Sequence, residues 1–414
     1  MSMQAEWKDR IRQWKNELKR LFYREMDEIS FEGFLTSEFL PFEQACQHQR
    51  SPFPAGTRWG KAFEYGWFFG EYRVPETAAG KKLVLNLGFG TEGTVFVNGE
   101  AFGTYRADWV RYPHQYMCDL VLSDSAVAGE VFQIAFEAYA GHGDRSIMTG
   151  PLSENRPAAA PVPAQQAVVG RTTVGEWCED AYQLFIDLST LIDVRNGMEE
   201  DSLRVMRIDK ALKQFTNLVD YEQPIDGILK DIQKAREMLR PLLECTNGST
   251  TPEMAAFGHS HLDIAWLWPV EETKHKCART FSTQLKLMEM YPEYRFLQSQ
   301  PYLYEQTRER YPELYERICR KVENGQFIPE GGMWVEADTN MTGGESLIRQ
   351  FLYGKQFFKE EFGVESRLLW LPDVFGYTAA LPQIMKGCGV DYFTTQKILN
   401  PYNDCEPFPY NYFS

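Results

Sequence analysis

Three short segments in the C-terminal half of the chain place histidine and carboxylate side chains at spacings that suit metal or acid chemistry. The first is GHSHLD (258–263), in which His261 and Asp263 are two residues apart. In extended backbone such a pair points both side chains to one side, and imidazole nitrogen with carboxylate oxygen is a common zinc ligand set. The pair indicates a metal site, with a hydrogen-bonding histidine of the core as the structural alternative.

The other two segments add carboxylates. In WLPDVFG (370–376) Asp373 directly follows an apolar run, so it should lie at the C-terminal end of a strand, where it could bind a metal or act as a nucleophile. Its structural alternative is to cap the helix that follows. In EGGMWVEAD (330–338) we single out Asp338 as a further site residue. Thr342 and Glu345 fit a capping box, which predicts a structural role for Glu345.

Aromatic residues crowd the same three segments. Sugars stack their apolar faces on aromatic rings while carboxylates hold the hydroxyls, so this composition favours a carbohydrate as substrate. The structural alternative is that at least half of these rings belong to the core. The aromatic residues are Trp266, Trp268, Trp334, Trp370, Phe375 and Tyr377.

The elements that would position these segments alternate between short strands and long helices from residue 249 onward. Such alternation predicts an α/β domain with a parallel sheet or barrel, in which functional side chains collect where strands end. The predicted strands are 254–259, 294–299, 325–330, 367–372 and 391–396, and the predicted helices are about 270–290, 301–323, 344–362 and 378–388.

The preceding part of the chain divides into four regions by composition. Apolar residues at helical spacing predict an N-terminal helix within 1–29. Short apolar runs with an Asn98-Gly99 turn predict a β-sandwich over 30–154. A proline-rich linker over 155–173 and a region of two or three helices over 174–248 should follow.

Composition and charge restrict the class of protein. The 414 residues carry 43 Lys and Arg against 58 Asp and Glu, and a net charge of -15 disfavours a nucleic acid or an anionic membrane as partner. No signal peptide or membrane span is evident, and the eight cysteines form no CxxC pair, so we expect a cytoplasmic protein. The sequence also leaves open whether the protein forms a homo-oligomer.

GHSHLDIAWLWP, EGGMWVEAD and WLPDVFGY together resemble the catalytic domain of family-38 α-mannosidases, in particular their cytosolic and bacterial branch. The resemblance covers 250–414 with specific motifs and implies retaining, zinc-dependent hydrolysis of terminal α-mannosides. It also implies that this domain is the first part of an irregular parallel β/α barrel.

The resemblance also implies roles for single residues. His261, Asp263 and Asp373 would bind zinc, Asp373 would also be the nucleophile, and Trp266 and Phe375 would line the sugar subsite. The family's fourth zinc ligand is a later histidine, but none follows His275 here. Its acid/base aspartate also lies beyond Asp373, and neither Asp391 nor Asp404 fits that role. We therefore expect an N-terminal fragment that is inactive alone.

The sequence is also compatible with two other classes of protein. A different metal-dependent hydrolase, such as a deacetylase, would use the HxD pair and a third ligand without a covalent intermediate. A non-catalytic carbohydrate-binding protein would keep the aromatic residues and a partial site.

Overall fold

The computed structural model describes residues 3–89, 91–106, 120–141, 165, 167–246, 248–266 and 268–399. None of the helices in these ranges combines the length and apolar character that crossing a membrane requires. The helices are Ala5–Glu17 (α1), Phe42–Cys46 (α2), Glu179–Asn196 (α3), Leu203–Leu218 (α4), Ile225–Leu243 (α5), Val270–Met290 (α6), Pro301–Arg310 (α7), Pro312–Glu323 (α8), Gly344–Phe362 (α9) and Leu381–Gly387 (α10).

The strands fall into an antiparallel group and a parallel group. Those of the antiparallel group are Tyr23–Ile29 (β1), Glu32–Thr36 (β2), Ser51–Pro52 (β3), Arg58–Trp59 (β4), Tyr65–Arg73 (β5), Leu83–Asn86 (β6), Glu92–Val97 (β7), Glu100–Arg106 (β8), Val121–Ser123 (β9), Val131–Tyr139 (β10), Ala167–Val168 (β11) and Thr172–Trp177 (β12). Those of the parallel group are Gly258–His259 (β13), Phe296–Gln298 (β14), Phe327–Pro329 (β15), Leu368–Leu371 (β16) and Tyr392–Thr395 (β17).

The antiparallel strands form the predicted β-sandwich. A four-stranded sheet of order β1-β12-β6-β9 faces a six-stranded sheet of order β3-β2-β5-β10-β7-β8, and a buried aliphatic and aromatic core fills the space between them. The Asn98-Gly99 turn joins β7 to β8 as predicted, with positive φ at both residues. Such a turn matches the twist of the strands that it connects.

Both sheets of the sandwich are also covered on their outer faces. Side chains alternate along β6, so that Leu85 enters the sandwich core while Val84 joins an apolar cluster to which helices α1, α3, α4 and α5 contribute. On the six-stranded sheet Phe68 points inward, whereas Trp67 and Phe96 point outward into a second apolar cluster that includes Tyr311 of the α/β domain. The sandwich therefore lies between the helical region and the α/β domain, and each sheet has two buried faces.

The C-terminal domain has the predicted alternation of strands and helices. All five predicted strands are present, and the pairs β13-β14, β14-β15 and β16-β17 are parallel. In the described residues they form one sheet of three strands and one of two, linked where the Trp370 amide donates to the carbonyl of Gly331 at 3.3 Å. The carboxyl ends of β13 and β16 thus lie beside the turn that follows β15.

Several predicted boundaries were wrong. The N-terminal region 1–29 is helical only to Leu21, and β1 (Tyr23–Ile29) pairs with β12 (Thr172–Trp177), so the sandwich takes up parts of the predicted linker and helical region. Residues 155–164 of that linker lie outside the described residues. The predicted helix 301–323 is two helices, because Pro312 lacks the amide proton that a continuous helix needs.

The predicted capping box at Thr342 and Glu345 was also wrong. Gly343 precedes α9 without a side-chain cap, and the Thr342 hydroxyl donates instead to the carbonyl of Asp338 at 2.9 Å. Glu345 pairs with Arg349 one turn later at 2.9 Å. The Thr342 side chain therefore stabilises the turn that precedes α9.

Helix α9 fixes the turn after β15 by close contact at Gly354, which predicts a steric effect. A Cβ at this position would lie 2.5 Å from the Gly332 carbonyl oxygen and 2.7 Å from the Trp334 amide nitrogen. Gly354→Ala should therefore destabilise the protein by about 1–3 kcal/mol, because overpacking outweighs the gain of roughly 0.5–1 kcal/mol that alanine brings to a helix. Urea unfolding measures the difference.

Gly344→Ala is the matched control, because the first turn of the same helix has no neighbouring atom within 4 Å of an added Cβ. If Gly354→Ala and Gly344→Ala unfold at the same urea concentration, the close contact at Gly354 does not limit the stability of the protein.

Candidate metal centre

His261, Asp263 and Asp373 meet at the carboxyl ends of two strands. One ligand atom from each of the three lies within 4.8 Å of the others. His261 Nε2 is 3.2 Å from Asp263 Oδ1 and 3.9 Å from Asp373 Oδ2. Extended backbone after β13 places His261 and Asp263 on one side, and the residues after β16 bring Asp373 across from them. The sequence prediction named these three residues together, and the structure brings them together.

A buried carboxylate on the third segment fixes the orientation of His261. Glu336 Oε2 is 2.6 Å from His261 Nδ1, and only 3% of the Glu336 side chain is exposed. The Ser299 hydroxyl donates to the other carboxylate oxygen at 2.6 Å, and the Gln300 side-chain oxygen accepts from the Glu336 amide at 3.1 Å. With Nδ1 bonded to a carboxylate, the Nε2 atom faces the two aspartates.

Sequence reasoning missed Glu336. It selected Asp338 from the same segment because no pattern separates the two carboxylates, which are two residues apart on one turn. The role of Glu336 depends on its contact with His261, which is 75 residues away along the chain, and no local pattern signals that contact.

The two carboxylates beside the His261 ring favour its protonated form. Burial lowers the pKa of this imidazole, but hydrogen bonds and charge from Asp263 and Glu336 outweigh burial and raise the pKa to about 10. The proton on Nε2 then bonds to Asp263 Oδ1. A bound cation would take the place of this proton among the same acceptor groups.

His259, the other histidine of the first segment, is not part of this cluster. Its Nδ1 donates to the Leu297 carbonyl at 3.0 Å and its Nε2 accepts from the Trp370 indole at 3.0 Å, so both ring nitrogens have partners in neighbouring strands. Burial lowers the pKa of His259. The neutral ring therefore links β13, β14 and β16.

Lys397 is a second residue that sequence reasoning missed. Its ammonium lies 2.7 Å from Asp373 Oδ1, on a short 3₁₀ segment directly after β17. Asp373 thus has a cationic partner at one oxygen and faces His261 with the other. The alternative role of Asp373 as a helix cap was wrong, because α10 begins only at Leu381 and Ala380 precedes it.

The candidate substrate residues lie around this cluster. Trp266 is 49% exposed and Phe375 is 65% exposed, while Lys397 Nζ lies 5.2 Å from the Phe375 ring centre. Asp338 lies beside Gly376, where an added Cβ would be 2.1 Å from Asp338 Oδ1. The same oxygen accepts from the amides of Asn340 and Met341, so Asp338 also stabilises its own turn.

Neither of the two later aspartates joins the site in the described residues. Asp391 Oδ2 accepts from Arg367 at 2.8 Å at the start of β17, and Asp404 lies outside the described residues.

The donor set fits a zinc ion or a similar divalent cation. One imidazole nitrogen and two carboxylate oxygens face a common point, and the imidazole carries a carboxylate on its other nitrogen, which is the usual arrangement around a zinc-binding histidine.

Comparison with known proteins identifies two domains. Residues 251–413 match the profile described as "Glycosyl hydrolases family 38 N-terminal domain", and residues 22–155 match the one described as "Alpha-mannosidase, jelly roll domain". The chain thus carries a family 38 N-terminal domain, preceded by an α-mannosidase jelly roll domain. The jelly roll match begins one residue before β1, in agreement with the place of this strand in the sandwich.

Individual relatives extend this similarity over nearly the whole chain. The human protein named "Alpha-mannosidase 2C1" is 34% identical over 95% of this chain and 36% of its own length, and the Saccharomyces cerevisiae "Alpha-mannosidase" is 35% identical over 57% of this chain and 22% of its own. The crystal structure of an α-mannosidase from Enterococcus faecalis V583 is 26% identical over 34% of this chain and 16% of its own, with a TM-score of 0.32. The chain spans about a third of the length of the human relative.

Proposed function

We propose that this chain is the N-terminal part of a zinc-dependent α-mannosidase that hydrolyses terminal α-mannosides with retention of configuration. The observation that carries the proposal is the convergence of His261, Asp263 and Asp373 beside the exposed rings of Trp266 and Phe375. The family 38 N-terminal domain and the names of the relatives support the same reaction. The parallel strands β13 to β17 would then be the first part of an irregular β/α barrel.

In this proposal Asp373 is the nucleophile. One of its oxygens would attack the anomeric carbon while the glycosidic oxygen leaves with a proton from an acid, and water would then release the sugar from the resulting ester. The Lys397 ammonium lies 2.7 Å from Asp373 Oδ1 and so pairs with one oxygen of the attacking carboxylate. A bound zinc ion would supply ligand positions for sugar hydroxyls and stabilise negative charge on oxygen.

The substrate would lie against the exposed aromatic rings. Trp266 and Phe375 offer apolar faces to a pyranose, and Asp338 next to Gly376 offers a carboxylate oxygen to a hydroxyl. Glu336 would hold His261 in the orientation that ligation requires. Six free cysteines among the described residues agree with a reducing, cytoplasmic compartment, which stays part of this proposal.

The first prediction concerns the reaction of the complete enzyme. It should hydrolyse aryl α-mannosides and lose activity on prolonged dialysis against a chelator, because the substrate hydroxyls need the metal for positioning. Added zinc should restore the rate. Activity that survives chelation, or a preference for β-mannosides, would contradict the proposed function.

The second prediction separates Asp263 from Asp373, since a ligand and a nucleophile fail differently when neutralised. In the complete enzyme Asp263→Asn should mainly weaken metal binding, and excess zinc should restore part of its activity. Asp373→Asn should not be restored, because an amide cannot form the glycosyl ester. The measurements are zinc content and labelling by a 2-fluoro-mannosyl substrate.

His259→Ala is the control, because both of its ring nitrogens bond away from the cluster, and this variant should keep more zinc than His261→Ala. A labelled adduct on Asp373→Asn would refute the assigned nucleophile. Absence of any adduct in the active wild-type enzyme would favour a metal-dependent hydrolase that forms no covalent intermediate.

The third prediction concerns Glu336. Glu336→Gln keeps the size of the side chain but removes the charge that orients the His261 ring, so zinc affinity should fall by about 10–100-fold. Competition with a fluorescent chelator measures the affinity. Glu330→Gln is a control on the same segment, because Glu330 bonds to Ser366 and the Gly331 amide rather than to His261. Equal zinc affinity in the two variants would show that Glu336 does not orient the ligand.

A further inference from the structure

The loop that carries Asp263 is fastened to helix α6 by one buried hydroxyl. Thr273 is fully buried, and its hydroxyl donates to the Ile264 carbonyl at 2.6 Å, with the Asp263 carbonyl 3.2 Å away. The same oxygen accepts from the indole nitrogen of Trp268 at 3.0 Å. Thr273 therefore ties both ends of the segment between Asp263 and α6 to the first turns of the helix.

The next turn of α6 connects this loop to the β-sandwich. Lys276 places its ammonium 4.2 Å from the centre of the Trp268 ring, within the range of a cation-π interaction. The same ammonium donates to both oxygens of Glu92 on β7, at 3.0 and 3.1 Å. A carboxylate of the sandwich is thus connected to the Asp263 loop through Lys276, Trp268 and Thr273.

The charges at this interface balance one another. Lys276 and Arg279 are opposed by Glu92 and Glu272, and Arg279 lies 3.0 Å from Glu92. Tyr65 on β5 donates to Glu272 at 2.7 Å, and Glu272 has no exposed surface. Lys276, Arg279 and Glu272 are buried, whereas the Glu92 side chain is 21% exposed. The four charges depend on each other, because removal of one carboxylate leaves a buried cation with less compensation.

We propose that the β-sandwich positions the metal centre through this network, with Glu92, Lys276 and Thr273 as positioning residues for Asp263. The inference rests on the proposed function, in which Asp263 binds the metal. The sandwich would thus help to position a metal ligand through Glu92, although Glu92, Lys276 and Thr273 lie outside the metal cluster itself.

In this inference the network holds the Asp263 loop in one position. With Glu92 neutral, the Lys276 ammonium has Glu272 as its remaining carboxylate, 3.9 Å away, and is drawn from its place beside the Trp268 ring. The indole then loses its fixed position against Thr273, and the Asp263 carbonyl loses a buried neighbour. The Asp263 carboxylate would still be present but less often in the position that ligation needs.

The zinc affinity of the complete enzyme tests the inference. Thr273→Val removes the hydroxyl at nearly constant volume and Glu92→Gln removes the charge, and each should weaken zinc binding by about tenfold or more. Thr273→Ser restores the hydroxyl and should bind zinc within about threefold of the wild type. The matched control is Glu137→Gln, because buried Glu137 lies 3.1 Å from His275 of the same helix at the same interface without a contact to the loop.

Hydrogen exchange provides a readout that does not need the metal. In metal-free protein, Thr273→Val and Glu92→Gln should speed exchange in a peptide spanning the Asp263 to Trp268 loop, whereas Glu137→Gln should not. All comparisons are made below the unfolding transition of the least stable variant.

The results distinguish the two proposals. A complete wild-type enzyme that binds no zinc but shows the expected exchange pattern overturns the proposed metal site and retains the anchoring of the loop. Zinc affinity and loop exchange that are the same in Thr273→Val, Glu92→Gln and Glu137→Gln overturn the positioning role while the proposed function stands.

Discussion

The hydrogen bond between His261 and the buried carboxylate of Glu336 is the interaction on which the site depends. It joins the end of β13 to the turn after β15 and selects the imidazole nitrogen that faces the aspartates. A carboxylate that is 3% exposed needs partners for each oxygen, and Ser299 and His261 supply them. The three segments that carry chemistry are therefore held in register by polar contacts among themselves.

Helix packing in the α/β domain also holds the segments that carry the site residues in place. Helix α9 contacts the turn after β15 through Gly354, and its Gln350 accepts from the amides of Trp334 and Val335 at 2.9 Å each. Helix α6 holds the loop after β13 from the other side through Thr273. Two helices thus fix the backbone of two site segments, and hydrogen bonds such as that between Glu336 and His261 then hold the side chains.

Sequence patterns could predict the strands and the three cluster residues because both depend on local features. An apolar run followed directly by Asp373 indicates a strand end, and the HxD spacing of His261 and Asp263 is a property of extended backbone. Glu336 and Lys397 could not be found in this way, because their roles depend on contacts 75 and 24 residues away along the chain. The split at Pro312 was visible in the sequence, where the absent amide proton marks the helix start.

The two buried faces of the six-stranded sheet explain why β5 and β10 each contain consecutive buried apolar residues, such as Trp67 and Phe68 or residues 134–136, rather than strict alternation. Trp67 and Phe96 have almost no exposed surface because Phe42 and Tyr311 cover them. The six-stranded sheet contributes side chains to two apolar clusters, one on each face. The jelly roll is therefore not structurally independent of the α/β domain. Cutting the chain between the domains would remove Tyr311 from the cluster on the outer face and expose apolar surface of the sheet, so a change on the surface of one domain also affects the solubility of the other.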